Sequence, residues 1–249
     1  MIRLPNNNYM KSYIKCLVVL FIASLQVNAQ TFQNLNFESA TVTASGLEPY
    51  GTFVPIGSAL PGWTAYLGAQ QITEVGYNSP ANSTASITLI GPTWNNADVE
   101  TYGVGIIDGN YSVDLQTGAN PLYPTPPTVN ASIEQNGSVP STAQSLQFEA
   151  FETTPLTVSF NGNALVPVAL SSGVSADGLP YTSYGANIAA WEGQTGELEF
   201  TADFNGSFNY VVLDDISFST NVVSPEPSIV ALSTIGGLLF GARKWFARR

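Results

Sequence analysis

The chain has 249 residues, of which seven are Lys or Arg, eighteen are Asp or Glu and none is His, for a formal net charge of −11. Arg3, Lys11 and Lys15 lie ahead of residue 30, and Arg243, Lys244, Arg248 and Arg249 lie at the far end, so Gln30 to Val223 carries seventeen carboxylates and no cationic side chain. That segment argues against nucleic-acid binding and phosphate cradles, which need Lys or Arg, and rules out Ser-His-Asp triads, lysine Schiff bases and histidine metal sites.

The three early cations precede an apolar stretch from Leu17 to Leu25, which ends in the small-residue pattern Val27-Asn28-Ala29. This is the layout of a secretory signal peptide cleaved between Ala29 and Gln30, with a signal helix over residues 1–29. The single cysteine, Cys16, is lost with it, leaving no disulfide and no thiolate in the exported part. What remains for chemistry is carboxylates, tyrosines, hydroxyls and backbone, an inventory suited to hard cations and to carbohydrate.

From residue 30 to residue 220, short alternating runs bounded by Gly, Asn, Pro and Ser predict strands. They fall at Leu35–Phe37, Ser86–Ile90, Tyr111–Gln116, Ser132–Gln135, Ser145–Phe151, Leu156–Phe160, Glu197–Phe204 and Phe208–Ser219. Together they predict one all-β domain, an antiparallel β-sandwich. Asn161-Gly162 marks a turn after Leu156–Phe160, and Asn205-Gly206 is expected to join the last two strands as a hairpin. The four-proline run Gly118 to Val129 reads as a loop.

Among the tryptophans, Trp63 and Trp191 read as core, whereas Trp94 sits in the turn-rich Gly91-Pro92-Thr93-Trp94-Asn95-Asn96. There a flat aromatic face flanked by two amides makes Trp94, Asn95 and Asn96 the candidate carbohydrate contacts, the alternative being a loop anchored by its own indole. Tyr123, Tyr181 and Tyr184 are weaker candidates of the same kind. The acidic pairs Glu149/Glu152 and Asp108/Asp114 read as solvated charges at strand ends, with no catalytic pair to distinguish, so the domain is expected not to be an enzyme.

On the final strand Phe208, Tyr210, Val212, Ile216 and Phe218 share one parity, and Asp214 falls on it with them. Such a carboxylate needs a metal ion, converging N–H groups or a bulge that rotates the strand end. Asn34-Leu35-Asn36-Phe37-Glu38 at the front and Val212-Leu213-Asp214-Asp215-Ile216-Ser217-Phe218 at the back resemble the first and last strands of galactose-binding-like jelly rolls. Leu60-Pro61-Gly62-Trp63, Gly109-Asn110-Tyr111-Ser112-Val113-Asp114-Leu115 and Ser132-Ile133-Glu134-Gln135 resemble that group too, which includes many carbohydrate-binding modules. The resemblance implies a jelly-roll fold and a structural calcium shared by the terminal strands, with Glu38 and Asp214 or Asp215 as ligands.

The last segment, residues 221–249, runs from a linker through Pro225-Glu226-Pro227 and an apolar stretch from Ile229 to Phe240 to the basic end with Arg243 and Lys244. This order resembles the PEP-CTERM sorting signal of exported bacterial proteins. The resemblance implies a hydrophobic C-terminal helix that is transiently in the inner membrane and is processed by an exosortase, as the front is by signal peptidase; a plain membrane anchor is the alternative. The expected product is a cell-surface, envelope or extracellular-matrix protein that associates with extracellular polysaccharide. The competing expectation is a structural acidic protein crosslinked by divalent cations, without a sugar site.

Overall fold

In chain order the strands are β1 (Thr52–Pro55), β2 (Thr64–Leu67), β3 (Gln70–Ile72), β4 (Glu74–Tyr77), β5 (Ser86–Ile90), β6 (Ser112–Gln116), β7 (Gly118–Ala119) and β8 (Thr128–Val129). They continue with β9 (Ala131–Ser138), β10 (Ser145–Glu152), β11 (Leu156–Phe160), β12 (Asn163–Leu165), β13 (Val168–Val174), β14 (Pro180–Asn187), β15 (Thr195–Ala202) and β16 (Tyr210–Ser219). Two short helices interrupt them, α1 (Ile56–Ala59) and α2 (Asn96–Tyr102). The structure is a computed structural model and describes residues 30–42, 52–80, 84–94 and 96–223. Ala29 and the rest of the signal segment, Asn95, and the tail with Pro225, Glu226, Pro227, Arg243 and Lys244 lie outside the described residues, as does the side chain of Asn96. No helix among the described residues is long and apolar enough to cross a membrane.

The strands form an eight-stranded sheet, β1-β4-β5-β6-β16-β10-β14-β13, and a six-stranded sheet, β12-β11-β15-β9-β2-β3. All pairings are antiparallel except β4 with β5. From β9 onward the chain crosses repeatedly from one sheet to the other, as jelly-roll winding requires. Alternation decides which side chains enter the space between the sheets. On β15, Leu198, Phe200 and Ala202 are fully buried while Glu197, Glu199 and Thr201 face out. Aromatic rings bind the two layers: Phe37 packs on Trp63 at 5.8 Å, Trp63 edge-on to Phe200 at 6.4 Å, and Phe200 edge-on to Phe148 at 5.3 Å. Each such buried ring contributes roughly 1.5–3 kcal/mol. Both sheets and both apolar clusters are built from Thr31 to Ser219, so this stretch contains the core needed to fold by itself.

Three local expectations are corrected. Residues Leu35 to Phe37 are not a strand, because Asn34 and Phe37 adopt φ of 49° and 58°, which turns the chain and drives Phe37 into the core. One backbone hydrogen bond, Ile216 N–H to Leu35 C=O at 3.1 Å, still holds this segment beside β16. Asn205-Gly206 does not close a hairpin: it carries the chain from β15 in one sheet to β16 in the other. The true two-residue hairpin is Asn161-Gly162, with φ of 49° and 69°, joining β11 to the unforeseen β12. Finally, the proline-rich run is tied by the short β7–β8 ladder.

Candidate functional site

β16 changes face at its middle. Val211 and Leu213 point into the main core, then Asp215 adopts φ of 44° and the register against β10 shifts between Gln147 and Glu149. After this bulge Ile216 is back in the main core with Phe218 packed against it. Ahead of the bulge, Tyr210, Val212 and Asp214 lie on the outer face of the eight-stranded sheet. That outer face is covered there by a second apolar cluster of Ile90, Trp94, Val104, Ile106, Ile107, Leu179 and Val212. The polar side of β6, Ser112 and Asp114, lies beneath the same cover.

Two carboxylates from opposite ends of the domain grip one loop beside this cover. Glu38 Oε1 accepts the backbone N–H groups of Asn110 (2.6 Å) and Tyr111 (3.0 Å), while its Oε2 accepts the Asn110 side-chain amide (2.8 Å). Asp214 Oδ2 accepts the Asp108 N–H (3.1 Å) and the Ser112 hydroxyl (2.6 Å), and Oδ1 accepts the Asp215 N–H (2.7 Å). Ser112 Oγ in turn accepts the Ile107 N–H at 2.8 Å. Gly109, at φ of 63°, closes the loop where any Cβ would collide with Glu38 Oε1. Burial pushes the Asp214 carboxyl up to about 7 even though Ser112, Asp108 and Asp215 donate to it.

Glu38 and Asp214 meet across one loop, in the expected neighbourhood of the chain ends. Both carboxylates accept N–H and O–H donors of that loop. Asp215 is exposed, and among the described residues no group of three or more His, Cys, Asp or Glu side chains is placed to hold a metal ion.

A cavity of about 430 Å³ opens between this loop and the β13–β14 turn. Pro92 and Trp94 form one side, residues 106–110 another, and Ala176 and Asp177 a third, which brings the Asp108 and Asp177 carboxylates and the Asn110 amide to one place. Trp94 is not a free platform: it is only 7% exposed, its Nε1–H donates to Val104 C=O at 2.8 Å, and its ring packs on Tyr102 at 5.4 Å. The indole nevertheless lines the cavity. A larger cavity of about 510 Å³ lies between β3 and the β1–β4–β5 edge, where apolar residues such as Leu67, Ile72 and Val75 alternate with Gln70, Gln71, Thr73, Glu74, Thr84 and Ser86.

The other acidic residues are placed differently from the expectation of solvated ends. Glu149 and Glu152 sit half-buried on the interior strand β10, accepting from Ser183 Oγ (3.0 Å) and Tyr184 Oη (3.1 Å). Burial raises the Glu149 carboxyl, with Asp215 and Asp108 adding to the rise against the Ser183 hydrogen bond. Asp114 is fully buried with no hydrogen-bond partner at either oxygen, and burial pushes it up to about 8. Of the tyrosines, Tyr184 stacks on Phe148, Tyr123 is exposed, and Tyr181 is partly buried near Glu149. Trp63 is core as expected, and Trp191 packs edge-on against Phe160 at 5.9 Å.

No family model and no curated protein matches the chain. Among solved structures it is similar to the carbohydrate-binding module TmCBM61, described in complex with β-1,4-galactotriose, at 12% identity and a TM-score of 0.38, covering 77% of this chain and 99% of that one. It is also similar to the enzymatically active domain of bacteriophage CBA120 tailspike protein 4, at 12% identity and a TM-score of 0.33, covering 64% of this chain and 19% of that one.

Proposed function

We propose that this β-sandwich is an exported, non-catalytic module that binds an uncharged polysaccharide through the cavity between the Asp108–Asn110 loop and the β13–β14 turn. The carrying observation is the convergence of Asp108, Asp177 and Asn110 beside the Trp94 edge in a cavity of about 430 Å³. Two carboxylates and an amide can accept and donate to several sugar hydroxyls, and an indole edge with Pro92 offers an apolar surface to ring C–H groups. The volume falls in the usual range of ligand sites, about 300–1,000 Å³. Seventeen carboxylates without a cation in residues 30–223 favour an uncharged partner over a uronic-acid or sulfated one.

Hydrolysis is disfavoured by the placement of the acids. A glycosidase needs a carboxyl that holds its proton at the scissile oxygen. The carboxyls pushed up furthest, Asp114 and Asp214, are 0% and 1% exposed, beneath the surface a sugar would touch, and the raised Glu149 and Glu152 are half-buried and engaged by Ser183 and Tyr184. Export through the Ala29/Gln30 signal site and processing of the Pro225-Glu226-Pro227 tail by an exosortase belong to the same reading, and place the module at the cell surface or in the surrounding matrix.

Amide chemical-shift mapping with uncharged oligosaccharides tests the site. Shifts centred on Asp108, Asn110 and Asp177 support it, and shifts confined to the outer face of β9 and β15 would move the site there. That second face favours the cation-crosslinked reading in one respect. Glu134 and Glu199 stand directly opposite each other across the β9–β15 pair, and burial raises the nearby Glu197 with both of them adding to the rise.

A further inference from the structure

Asp114 lies in the middle of β6, between Thr88 of β5 and Val212 of β16, with Val113 and Leu115 on either side of it pointing into the main core. Its carboxyl therefore projects from the outer face of the sheet, yet it is fully buried and neither oxygen has a hydrogen-bond partner. The outer face on both sides of it, at Ile90 of β5 and Val212 of β16, is covered by Trp94, Val99 of α2, Val104, Ile106 and Ile107. The cover is a small unit. Of the seven buried residues in the apolar cluster, four belong to the cover, Ile90 and Val212 to the sheet and Leu179 to the β13–β14 turn. α2 is a seven-residue helix, Trp94 Nε1–H to Val104 C=O braces the cover internally, and Tyr210 Oη–H to Gly103 C=O at 3.0 Å ties its middle to the sheet.

An ionised carboxylate without a partner is among the costliest groups to bury, and this domain has no cation to offer it. The groups facing Asp114 all share its sign or are neutral. From β16 these are Tyr210, whose hydroxyl is itself raised by burial and by Asp114, and Asp214 one row further along. β5 contributes only Ser86, Thr88 and Ile90 to that face, and the cover carries Asp98 and Glu100 on α2. The next strand across, β10, carries Glu149 on that face, while Glu152 pairs with the core-facing Val211. Tyr102 on α2, Tyr181 on β14 and Asp177 in the β13–β14 turn complete the titratable groups around the cover.

We infer that Asp114 is a proton-dependent latch: while its carboxyl is protonated the cover stays closed over the outer sheet face, and loss of that proton releases Trp94 and residues 96–107. The same segment supplies Trp94, Ile106 and Ile107 to the cavity wall, so release dismantles the cavity. In that respect the latch regulates the site proposed above and rests on that reading, whereas the opening itself needs no ligand. Once the cover lifts, a solvated Asp114 returns to an ordinary carboxylate value near 3.8, against about 8 when closed. Opening therefore becomes about tenfold easier per pH unit across that window and levels off above it.

Hydrogen exchange of the 30–223 segment, read by mass spectrometry between pH 5 and pH 9 and corrected for intrinsic rates, tests the latch without a ligand. Peptides spanning residues 96–107 should lose protection by about tenfold per pH unit up to pH 8. They should exchange far faster than β10 and β15, and Asp114→Asn should remove the larger part of the pH dependence, the remainder belonging to Asp214. Three results would overturn the proposal: pH-independent protection of residues 96–107 in the unmodified segment, an undiminished slope in Asp114→Asn, or equal exchange in the cover and in β10 and β15. Because no sugar is present, these outcomes are independent of whether the cavity binds one.

Discussion

Glu38 Oε1 takes the backbone N–H of Asn110 at 2.6 Å while Glu38 Oε2 takes the side-chain amide of the same residue at 2.8 Å. One carboxylate near the front of the domain thus fixes both the path of a loop and the side chain that the loop presents. Replacing Glu38 by Gln substitutes a donor for one acceptor oxygen and sets it against donors. A loss of about 1–3 kcal/mol is expected in urea unfolding, together with altered Asn110 amide shifts. Unchanged stability and shifts would mean that the loop is held by something else.

Gly109→Ala should be at least as damaging as Glu38→Gln, because it adds a side chain at φ of 63° where the Cβ meets the Glu38 carboxylate. Combining the two changes should cost less than their sum, since both break the same contact. Strict additivity in a double-mutant cycle would show the two residues to be uncoupled.

Trp94→Ala is expected to destabilise the domain by about 3–5 kcal/mol, in the range for removing a buried aromatic ring. Trp94→Phe should keep most of the packing but lose the bond to Val104. If Trp94→Ala were instead as stable as the unmodified protein, the indole would be a surface group after all.

Asp215 projects to solvent from a residue at φ of 44°, a backbone region that costs a non-glycine residue about 1 kcal/mol or more. Asp215→Gly should therefore leave stability unchanged or raise it slightly, with or without calcium in the buffer. A calcium-dependent melting temperature that this substitution abolished would show Asp215 to be a metal ligand.

Two buried carboxyls set the pH dependence of stability. Asp114 is raised to about 8 and Asp214 to about 7 in the folded protein, from 3.8 for each when solvated. The unfolded chain therefore releases these protons first as pH rises. Stability is greatest at mildly acidic pH, falls from about pH 4 through pH 7–8, and is level above that. The contribution of Asp114 is on the order of 5 kcal/mol at most. Denaturation midpoints at pH 5 and pH 8 check this, and Asp114→Asn should remove the larger part of the difference.

How much of this was legible in the sequence depended on whether the controlling force was local. Strand alternation at Leu198, Phe200 and Ala202 and the turn at Asn161-Gly162 are decided within a few residues, and both follow from periodicity and turn chemistry. Asn205-Gly206 carries the same turn chemistry, but which sheet accepts the next strand is a long-range choice that no dipeptide encodes. Asp214 was recognisable as a problem because it broke an apolar parity. Its solution, a bulge at Asp215 plus donors from Asp108 and Ser112, required knowing that residues 106 and 102 positions away arrive there. Asp114 gave no warning, since Ser112-Val113-Asp114-Leu115-Gln116 reads as a half-exposed strand until the cover around Trp94 closes over its polar side. Asp177 and Asn110 likewise became candidates only when the β13–β14 turn was seen beside the loop.

The most direct measurement is native affinity electrophoresis of the 30–223 segment through gels containing an uncharged or a carboxylated polysaccharide, each with calcium and with chelator. Retardation is expected in the uncharged gel under both ionic conditions, and is expected to be lost when Asp108 and Asp177 are changed together to Asn. Unchanged mobility in the uncharged gel, or retardation only in the carboxylated gel with calcium present, would contradict a sugar-binding cavity and leave an acidic surface bridged by cations.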